Sequence, residues 1–311
     1  MKITDGVDEK GWGQPFNICK SDTRCKNGCL YCYFLLNHQL RFKRISKDKS
    51  ERKSLKVDNK KILKGIRKRS KRQMFPTSHD IFPFMIIRSR IMLRKLLKSN
   101  NKVLIVSKAR IYCIKKLIEL FEKEKYSKYK ENIEFRITIT SYDNQYLKFW
   151  EPKAPLFNER IECIKLLIYK GFRSSISIEP YLDNPFDIIT YLDSHQLISK
   201  IDTIWIGKMN YLSRIKSDYF YKNKLSILET ESANHYFKHQ EHLITLNYVF
   251  KIIRVYNRFP AYIQDKIIFK DSIFNFLKKN KLNIKTMDDI REIHQLLDLT
   301  QFMKEEKEVV L

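Results

Sequence analysis

The sequence predicts an α/β fold with a parallel sheet, because short apolar runs alternate with amphipathic stretches between residues 73 and 207. Strands buried in a parallel sheet appear as continuous apolar runs, and residues 102–108, with Val-Leu-Ile-Val at their centre, are typical of this pattern. Residues 111–121 carry apolar side chains at three- and four-residue steps, as a helix packed on a sheet does. Strands that alternate with helices favour a parallel sheet with helical crossovers.

The elements follow in chain order. We predict six strands, at residues 12–19, 73–76, 102–108, 133–140, 174–180 and 203–207. We predict a helix that opens at residues 33–36 and further helices at residues 86–97, 111–121, 158–169 and 185–192. Gly171 is the predicted C-cap of the helix at residues 158–169. The strand pattern fades beyond residue 210, where helices are predicted at residues 234–256, 261–279 and 288–303.

Polar or ionisable side chains follow nearly every predicted strand. They are His79 and Asp80, Ser107 and Lys108, Thr140 and Ser141, Glu179, and Lys208 and Asn210. In parallel α/β barrels the active site lies at the carboxyl ends of the strands. A fold built for stability alone would not need charged groups there, so this recurrence indicates an enzyme.

Three cysteines, Cys25, Cys29 and Cys32, stand in the spacing C-x3-C-x2-C on a short loop that contains Gly28. A structural zinc site wants four ligands, usually as two pairs. Three thiolates can instead hold three irons of a [4Fe–4S] cluster and leave the fourth iron open. Two alternatives stay open here: a zinc site with Cys19 or a distant histidine as fourth ligand, and a disulfide, which is disfavoured because nothing marks the chain as secreted.

Composition bounds the classes of protein that fit. The chain has 311 residues, of which 43% are apolar, enough for a sizeable core. It has no apolar signal region at its start and no run of about 18 apolar residues, so we expect a cytoplasmic protein that does not span a membrane. The isolated Cys113 and Cys163 fit small buried apolar residues better than ligands.

The formal net charge is +26, and half of it falls in residues 41–72, which hold 16 basic and 3 acidic residues. This basic stretch, with a short amphipathic helix near Ile62 and Ile66, fits a phosphate-binding arm. It equally fits a solvated connection, because the chain is rich in Lys, Ile, Asn and Tyr throughout and much of the lysine excess can be compositional bias.

The loop CKNGCLYC, with an aromatic residue before its last cysteine, resembles the signature of the radical S-adenosylmethionine (radical SAM) enzymes. In that family the amino and carboxylate groups of SAM chelate the open iron, and the reduced cluster cleaves SAM to methionine and a 5′-deoxyadenosyl radical. Residues 74–81 (MFPTSHDI), 106–108 (VSK), 150–155 (WEPKAP) with Glu159 and Arg160, and 177–180 (SIEP) resemble the branch related to spore photoproduct lyase, which includes photolyase-like proteins. The resemblance implies a partial (β/α)6 barrel over residues 12–210, with residues 211–311 as a helical C-terminal extension.

The resemblance also implies roles for individual residues. Cys25, Cys29 and Cys32 are the expected ligands of the [4Fe–4S] cluster. The expected SAM contacts are Tyr31 near the adenine, Lys108 on the carboxylate, and Thr138 as a hydroxyl contact with Thr140 and Ser141 as alternatives.

Two further positions complete the implied cofactor set. Asp80 or His79 would contact the methionine amine, in place of a glycine-glycine-glutamate turn that this chain lacks. Glu179 would contact the SAM ribose or the substrate, and an ordinary salt bridge at the end of a strand is an equal alternative.

The resemblance stops short of a substrate. Spore photoproduct lyase carries a hydrogen-donating cysteine near the exit of the second strand, and residues 75–80 contain none, so thymine-dimer repair is not predicted. We expect a radical SAM enzyme of lyase or transferase type, with nucleic acid as a candidate substrate and a reductant such as flavodoxin or ferredoxin. The alternative is a non-catalytic nucleic-acid-binding protein with a structural metal site that requires Cys19.

Overall fold

A parallel sheet of seven strands organises the chain in this computed structural model, which describes residues 14–20, 25–32, 54–223, 225–282 and 284–297. The strands lie side by side in chain order, and every neighbouring pair is parallel. They are β1 (Gln14–Pro15), β2 (Gln73–Met74), β3 (Val103–Ser107), β4 (Ile133–Thr138), β5 (Arg173–Ile178), β6 (Ile204–Ile206) and β7 (Ile267–Phe269). Within the described residues β1 and β7 do not pair, so the sheet stays open, as a partial barrel does.

Thirteen α-helices in the described residues cross between the strands or follow them. They are α1 (Asn59–Leu63), α2 (Ile86–Lys98), α3 (Ile111–Ile118), α4 (Glu124–Ser127), α5 (Asn144–Trp150), α6 (Phe157–Tyr169), α7 (Pro185–Ser194), α8 (Leu212–Lys222), α9 (Ile227–Leu243), α10 (Leu246–Arg258), α11 (Ala261–Gln264), α12 (Asp271–Lys279) and α13 (Met287–Leu297). None of these helices has the length and apolar character needed to cross a bilayer.

The two faces of the sheet differ in chemistry. Side chains alternate between the faces along a strand, so Val103 and Ile105 share one face and Leu104 and Val106 the other. The face of Ile105 belongs to the hydrophobic core, together with Phe135 of β4 and the helices packed over it. The opposite face carries a set of polar and aromatic side chains, Glu134, Arg136, Thr138, Ser175, Ser177 and Trp205.

The predicted fold class is confirmed, and all six predicted strands exist. The prediction of one helix over residues 261–279 is wrong, because β7 lies inside that range and pairs with β6. Ile267, Ile268 and Phe269 are β-branched or aromatic, but three residues are too few to show a strand period. The sheet therefore continues past residue 210, and the division into two domains at that residue stays a prediction.

Other differences are local. The predicted helix over residues 234–256 is two helices, because Thr245 N-caps α10 by accepting a 3.3 Å hydrogen bond from the Tyr248 N–H. The helices α5 and α8 were not predicted. The predicted helix at residues 33–36 lies outside the described residues, as does the end of the one predicted at residues 288–303.

A buried ion cluster stabilises the amino end of the polar face. The Glu134 carboxylate is fully buried and pairs with Arg72, which is 2% exposed, and with Arg136 at 3.3 Å. Ser175 also donates to it at 2.6 Å. Burial alone would raise the pKa of the Glu134 carboxyl, but Arg136 and Arg72 hold that pKa below its ordinary value.

Glu134→Gln should lower the free energy of unfolding by about 3–5 kcal/mol, because the buried guanidinium groups of Arg72 and Arg136 lose the charged carboxylate that both of them bind. Urea unfolding of the metal-free protein measures this loss. The matched control is Glu122→Gln, which removes an exposed pair with Lys170 and should cost less than about 1 kcal/mol. Equal losses in the two variants would contradict a structural role for the cluster.

Candidate functional site

The carboxyl ends of the strands and the cysteine loop enclose a cavity of about 330 Å³. This volume lies within the range of small-molecule and cofactor sites, about 300–1,000 Å³. The polar residues predicted at the strand exits converge there, and those that line the cavity are His79, Asp80, Ser107, Lys108, Glu179, Lys208 and Asn210. Apolar walls formed by Met74, Val106 and Met209 complete it.

Cys25, Cys29 and Cys32 all line this cavity, and none of them forms a disulfide. Burial raises the pKa of the Cys25 thiol to about 11 and raises that of Cys29 further. A buried thiolate needs a positive partner, and Lys108 is the nearby cation that opposes the rise at Cys29. The loop therefore presents three thiols to one space.

The Glu151 carboxylate, 1% exposed, connects the cysteine loop to the sheet. It accepts hydrogen bonds from the Tyr31 hydroxyl of the loop, from Arg160 of α6, and from Thr140 at 2.6 Å. Lys108 Nζ lies 3.7 Å from its Oε1 atom. Burial alone would raise the pKa of Glu151, but Arg160 and Lys108 lower it, so the buried group is an anion with four partners.

Asp80 connects the other side of the loop. Its Oδ2 accepts from Asn27 Nδ2 at 2.8 Å and from the Lys108 N–H at 3.1 Å, and its Oδ1 accepts from Ser107 Oγ at 2.5 Å. The Ile81 N–H also donates to Oδ1 at 2.8 Å. Both oxygens are thus occupied within the protein, and Asp80 fixes the loop against the ends of β2 and β3.

Glu179 lies at the exit of β5 and pairs with a cation that was not predicted. Lys270, which follows β7 and is 3% exposed, places its Nζ 3.2 Å from Glu179 Oε2. The absence of a side chain at Gly207 leaves room for Glu179, because a Cβ atom at residue 207 would lie 2.9 Å from Glu179 Cγ and Oε1. The Glu179 carboxylate therefore forms a salt bridge and also lines the cavity. Its contact to the ribose or the substrate stays a prediction.

The predicted hydroxyl contacts separate into two groups. Thr138 lines the cavity. Thr140 and Ser141 are not among the described residues that line it, because the Thr140 hydroxyl bonds to Glu151 and the Ser141 hydroxyl bonds to Asp183. Tyr31 lines the cavity while its hydroxyl is held by Glu151. The assignment of all four as SAM contacts stays a prediction.

Cys19 is a fourth cysteine, six residues before the three-cysteine loop. It is 3% exposed, forms an antiparallel bridge with Val57, and is absent from the described lining of the cavity. In the part of the chain that the structure describes, no group of three or more His, Cys, Asp or Glu side chains is arranged to hold a metal ion. A mononuclear zinc needs all its thiolates about 2.3 Å from one ion, whereas a [4Fe–4S] cluster takes single thiolates on separate irons.

The basic stretch is described from residue 54 onward, and residues 41–53 lie outside the described residues. Its last residues enter β2 at the amino-terminal edge of the sheet, where the Arg69 N–H donates to Asn101 Oδ1 at 2.8 Å. That edge is opposite the cavity. Arg72 is buried against Glu134 and is not available to a phosphate. The described part of the stretch therefore does not line the candidate site.

Sequence reasoning missed Glu151, Arg110 and Lys270. Glu151 was noted only as part of a motif, Arg110 bridges Asn27 Oδ1 and the Lys153 carbonyl at 2.8 and 2.7 Å, and Lys270 depends on the unpredicted β7. The one signal that could have found Glu151 is an acidic residue inside an otherwise aromatic and proline-rich run, at residues 149–155.

Comparison with known proteins identified similar structures but no family. No protein-family model matches the chain, and no curated protein matches it. A spore photoproduct lyase variant with bound AdoMet and dinucleoside spore photoproduct is 12% identical over 73% of this chain and 65% of its own, with a TM-score of 0.44. Another structure of that enzyme, complexed with dinucleoside spore photoproduct, is 14% identical over 74% and 66%, also with a TM-score of 0.44. Streptococcus suis SuiB bound to S-adenosylmethionine is 14% identical over 71% and 43%, with a TM-score of 0.37.

The chain spans less than two thirds of the length of these structures. Spore photoproduct lyase, whose branch the sequence motifs resemble, is thus among the structures to which the chain is similar. At such TM-scores the likeness carries no weight for function, which has to be argued from the residues of this chain.

Glu151→Gln should loosen the cysteine loop, because it removes the charge that Arg160 and Lys108 neutralise and weakens the bond to Tyr31. Amide hydrogen exchange of residues 25–32 should accelerate by about tenfold or more, since local opening reports the free energy of holding a segment in place. Glu162→Gln, an exposed change on α6, is the control and should leave that exchange unchanged. Unchanged exchange in the Glu151 variant would show that the carboxylate does not hold the loop.

Proposed function

We propose that this chain is a radical SAM iron–sulfur enzyme in which Cys25, Cys29 and Cys32 hold a [4Fe–4S] cluster and the cavity binds SAM. The observation that carries the proposal is the convergence of three loop thiols with the partly buried Lys108 and the polar strand exits in one cavity. Such a cluster, reduced and with SAM bound beside it, would supply reductive cleavage of SAM and, through it, hydrogen-atom abstraction from the substrate. The protein supplies binding, orientation and exclusion of water.

The donor set fits such a cluster. Burial raises the pKa of the Cys25 and Cys29 thiols, and metal binding would offset that cost, because thiols must lose their protons to bind metal and the cation then neutralises the buried charge. Asn27 and Tyr31, both within the loop, are tied to Asp80 and Glu151, so the loop is ordered by the protein's own contacts. A loop held in this way can present its thiols without further rearrangement.

Lys108 suits the recognition of a carboxylate in the cavity. Burial alone would lower the pKa of Lys108, but Glu151 raises it, so the side chain is an ammonium. Its Nζ lies 5.4 Å from the centre of the Tyr31 ring and within reach of both the loop and the cavity. A compact ammonium pairs well with a carboxylate, and we assign it to that of SAM.

His79 is better placed than Asp80 to accept a hydrogen bond from an amino group. Its Nδ1 bonds to the Asp80 carbonyl at 2.9 Å, and since a carbonyl can only accept, Nδ1 carries the proton. Its Nε2 is buried without a partner. An unpaired buried group costs about 1–3 kcal/mol, and an incoming N–H donor would satisfy it. Both oxygens of Asp80, in contrast, already accept two hydrogen bonds each.

The apolar walls of the cavity serve the same chemistry. Met74, Pro76, Val106 and Met209 offer no O–H or N–H side-chain donors. Closed apolar surroundings exclude water and protect reactive intermediates from side reactions. Glu179, held by Lys270 at the exit of β5, lines the same cavity and is the proposed contact to the ribose or to the substrate.

The proposed substrate class rests on the resemblance of the sequence motifs and on charge. Nucleic acid is a candidate because of the overall positive charge, although the described basic stretch lies at the edge of the sheet opposite the cavity. The alternative function is a non-catalytic nucleic-acid-binding protein whose cysteines form a structural metal site. That alternative requires Cys19 as a ligand, and the position of Cys19 outside the cavity disfavours it.

Anaerobic reconstitution with iron and sulfide should give about four irons per chain and, with dithionite and SAM, release of 5′-deoxyadenosine. Cys29→Ala should abolish both, because two thiolates cannot hold the cluster. Cys19→Ala, a matched removal of a thiol, should leave iron content and release within about twofold of the parent protein. Iron analysis and chromatography measure the two quantities.

Two results would contradict the proposal. One is a protein that holds a single zinc and no iron after anaerobic reconstitution. The other is loss of metal in Cys19→Ala, which would favour the structural site.

A further inference from the structure

We propose that the outer surface of the cysteine loop is the docking site of a small acidic one-electron carrier protein. The surface, called the loop-side patch, consists of Lys26, Phe84, Ile87, Arg88 and Lys153. The inference rests on the proposed function, because a cluster that cleaves SAM must receive one electron for each SAM cleaved. The carrier loses that electron and the cluster gains it, so the step balances.

The patch is continuous with the cysteine loop. Lys26 directly follows Cys25, and its Nζ lies 4.4 Å from the centre of the Phe84 ring. The Lys153 N–H donates to the Asn27 carbonyl at 3.1 Å, so the segment after Glu151 borders the loop on its other side. Phe84 lies in the 3-10 turn Pro83–Met85 directly before α2, and Ile87 and Arg88 are exposed in the first turn of that helix.

The patch exposes apolar area that the fold does not need. Ile87 is 70% exposed and Phe84 is 45% exposed, although the opposite face of α2 buries Ile86, Met92 and Leu93 in the core. Exposed apolar groups surrounded by charged ones are typical of protein–protein contact sites. The anchors of such a contact are apolar or aromatic side chains near its centre.

The charge of the patch selects the partner. Lys26, Arg88 and Lys153 are exposed cations, and none of them forms an ion pair with another described residue. The two carboxylates that bond to side chains of the loop, Asp80 and Glu151, are 6% and 1% exposed and are bonded internally. Three uncompensated cations around an apolar centre are complementary to an acidic protein surface.

The position of the patch leaves the cavity free. None of the five patch residues is among the described residues that line the cavity in which substrate and SAM would bind. A carrier bound to the patch would therefore contact the segment that holds the cluster and leave the lining of the cavity uncovered. Electron entry and substrate binding could then occur on one molecule at the same time.

The test compares two double variants with the same change in charge. Ile87→Asp with Arg88→Glu alters the patch, and Ile227→Asp with Lys238→Glu alters an exposed part of α9; Ile227 is 79% exposed. Calorimetry with the full reconstituted chain measures the affinity for oxidised flavodoxin as the probe. The patch variant should bind at least about tenfold more weakly and with a smaller dependence on salt. The α9 variant should bind within about twofold of the parent protein.

A second measurement separates this inference from the proposed function. Dithionite needs no docking site, so dithionite-driven release of 5′-deoxyadenosine should be equal in the parent and both variants. Release driven by reduced flavodoxin should fall by about tenfold in the patch variant alone. No release with dithionite from the parent protein would overturn the proposed function and the docking inference with it.

Three results would overturn the docking inference while the proposed function stands. The first is equal affinity for flavodoxin in the patch variant and the parent protein. The second is an equal loss of affinity in the α9 variant, which would show attraction by net charge alone. The third is an equal loss of affinity for a single-stranded oligonucleotide in the patch variant, which would make the patch a general surface for polyanions.

Discussion

The Glu151 carboxylate is the constraint on which the site depends. An anion buried to 1% exposure must have its charge and its lone pairs satisfied inside the protein. Arg160 and Thr140 meet part of that requirement from the sheet and its helices, and Tyr31 and Lys108 meet the rest from the cysteine loop and the exit of β3. The carboxylate can be satisfied only when the loop is in place, so the energetics of one buried charge fix the position of the thiols.

The polar face of the sheet extends this arrangement across the molecule. Trp205 has the Arg136 guanidinium 4.7 Å from its ring centre and the Lys270 ammonium 5.2 Å from it, and Lys270 continues to Glu179 at the cavity. These are buried cations on aromatic faces, which stabilise charge away from water. β7 is therefore part of the site as well as of the sheet, because it delivers the cation that holds Glu179.

Much of the fold was predictable, because its strands are long enough and apolar enough to show against the helices between them. β3, β4 and β5 follow this rule, and the residues predicted at the exits of β3 and β5, Lys108 and Glu179, line the cavity. Those predicted at the exit of β4, Thr140 and Ser141, are not among the described residues that line it. β7 was not predictable, since three residues show no period and its pairing with β6 spans about sixty residues of intervening helix. α5 has only seven residues, too few to show a clear helical period. Its N-cap is formed by Asp143, whose side chain accepts a hydrogen bond from the Gln145 N–H.

The hydrogen bonds and ion pairs that connect the residues of the site could not be predicted from the sequence either. Asp80 was found as a polar strand exit, but whether such a carboxylate faces a ligand or its neighbours depends on where Asn27 and Ser107 lie in space. Arg72 belongs to a run of exposed basic residues and yet is buried, because it pairs with the buried Glu134 carboxylate on the polar face of β4. Charge along the chain does not report burial, and burial decided both cases.

Electron paramagnetic resonance of the anaerobically reduced protein, recorded with and without SAM, tests the central claim most directly. That claim is that the loop held by Glu151 and Asp80 presents three thiols and leaves one iron of the cluster without a protein ligand. The reduced protein should give the signal of a [4Fe–4S] cluster whose g values shift when SAM is added, because SAM would bind the open iron. A cluster signal that SAM does not alter, or no cluster signal in the reconstituted protein, would contradict it.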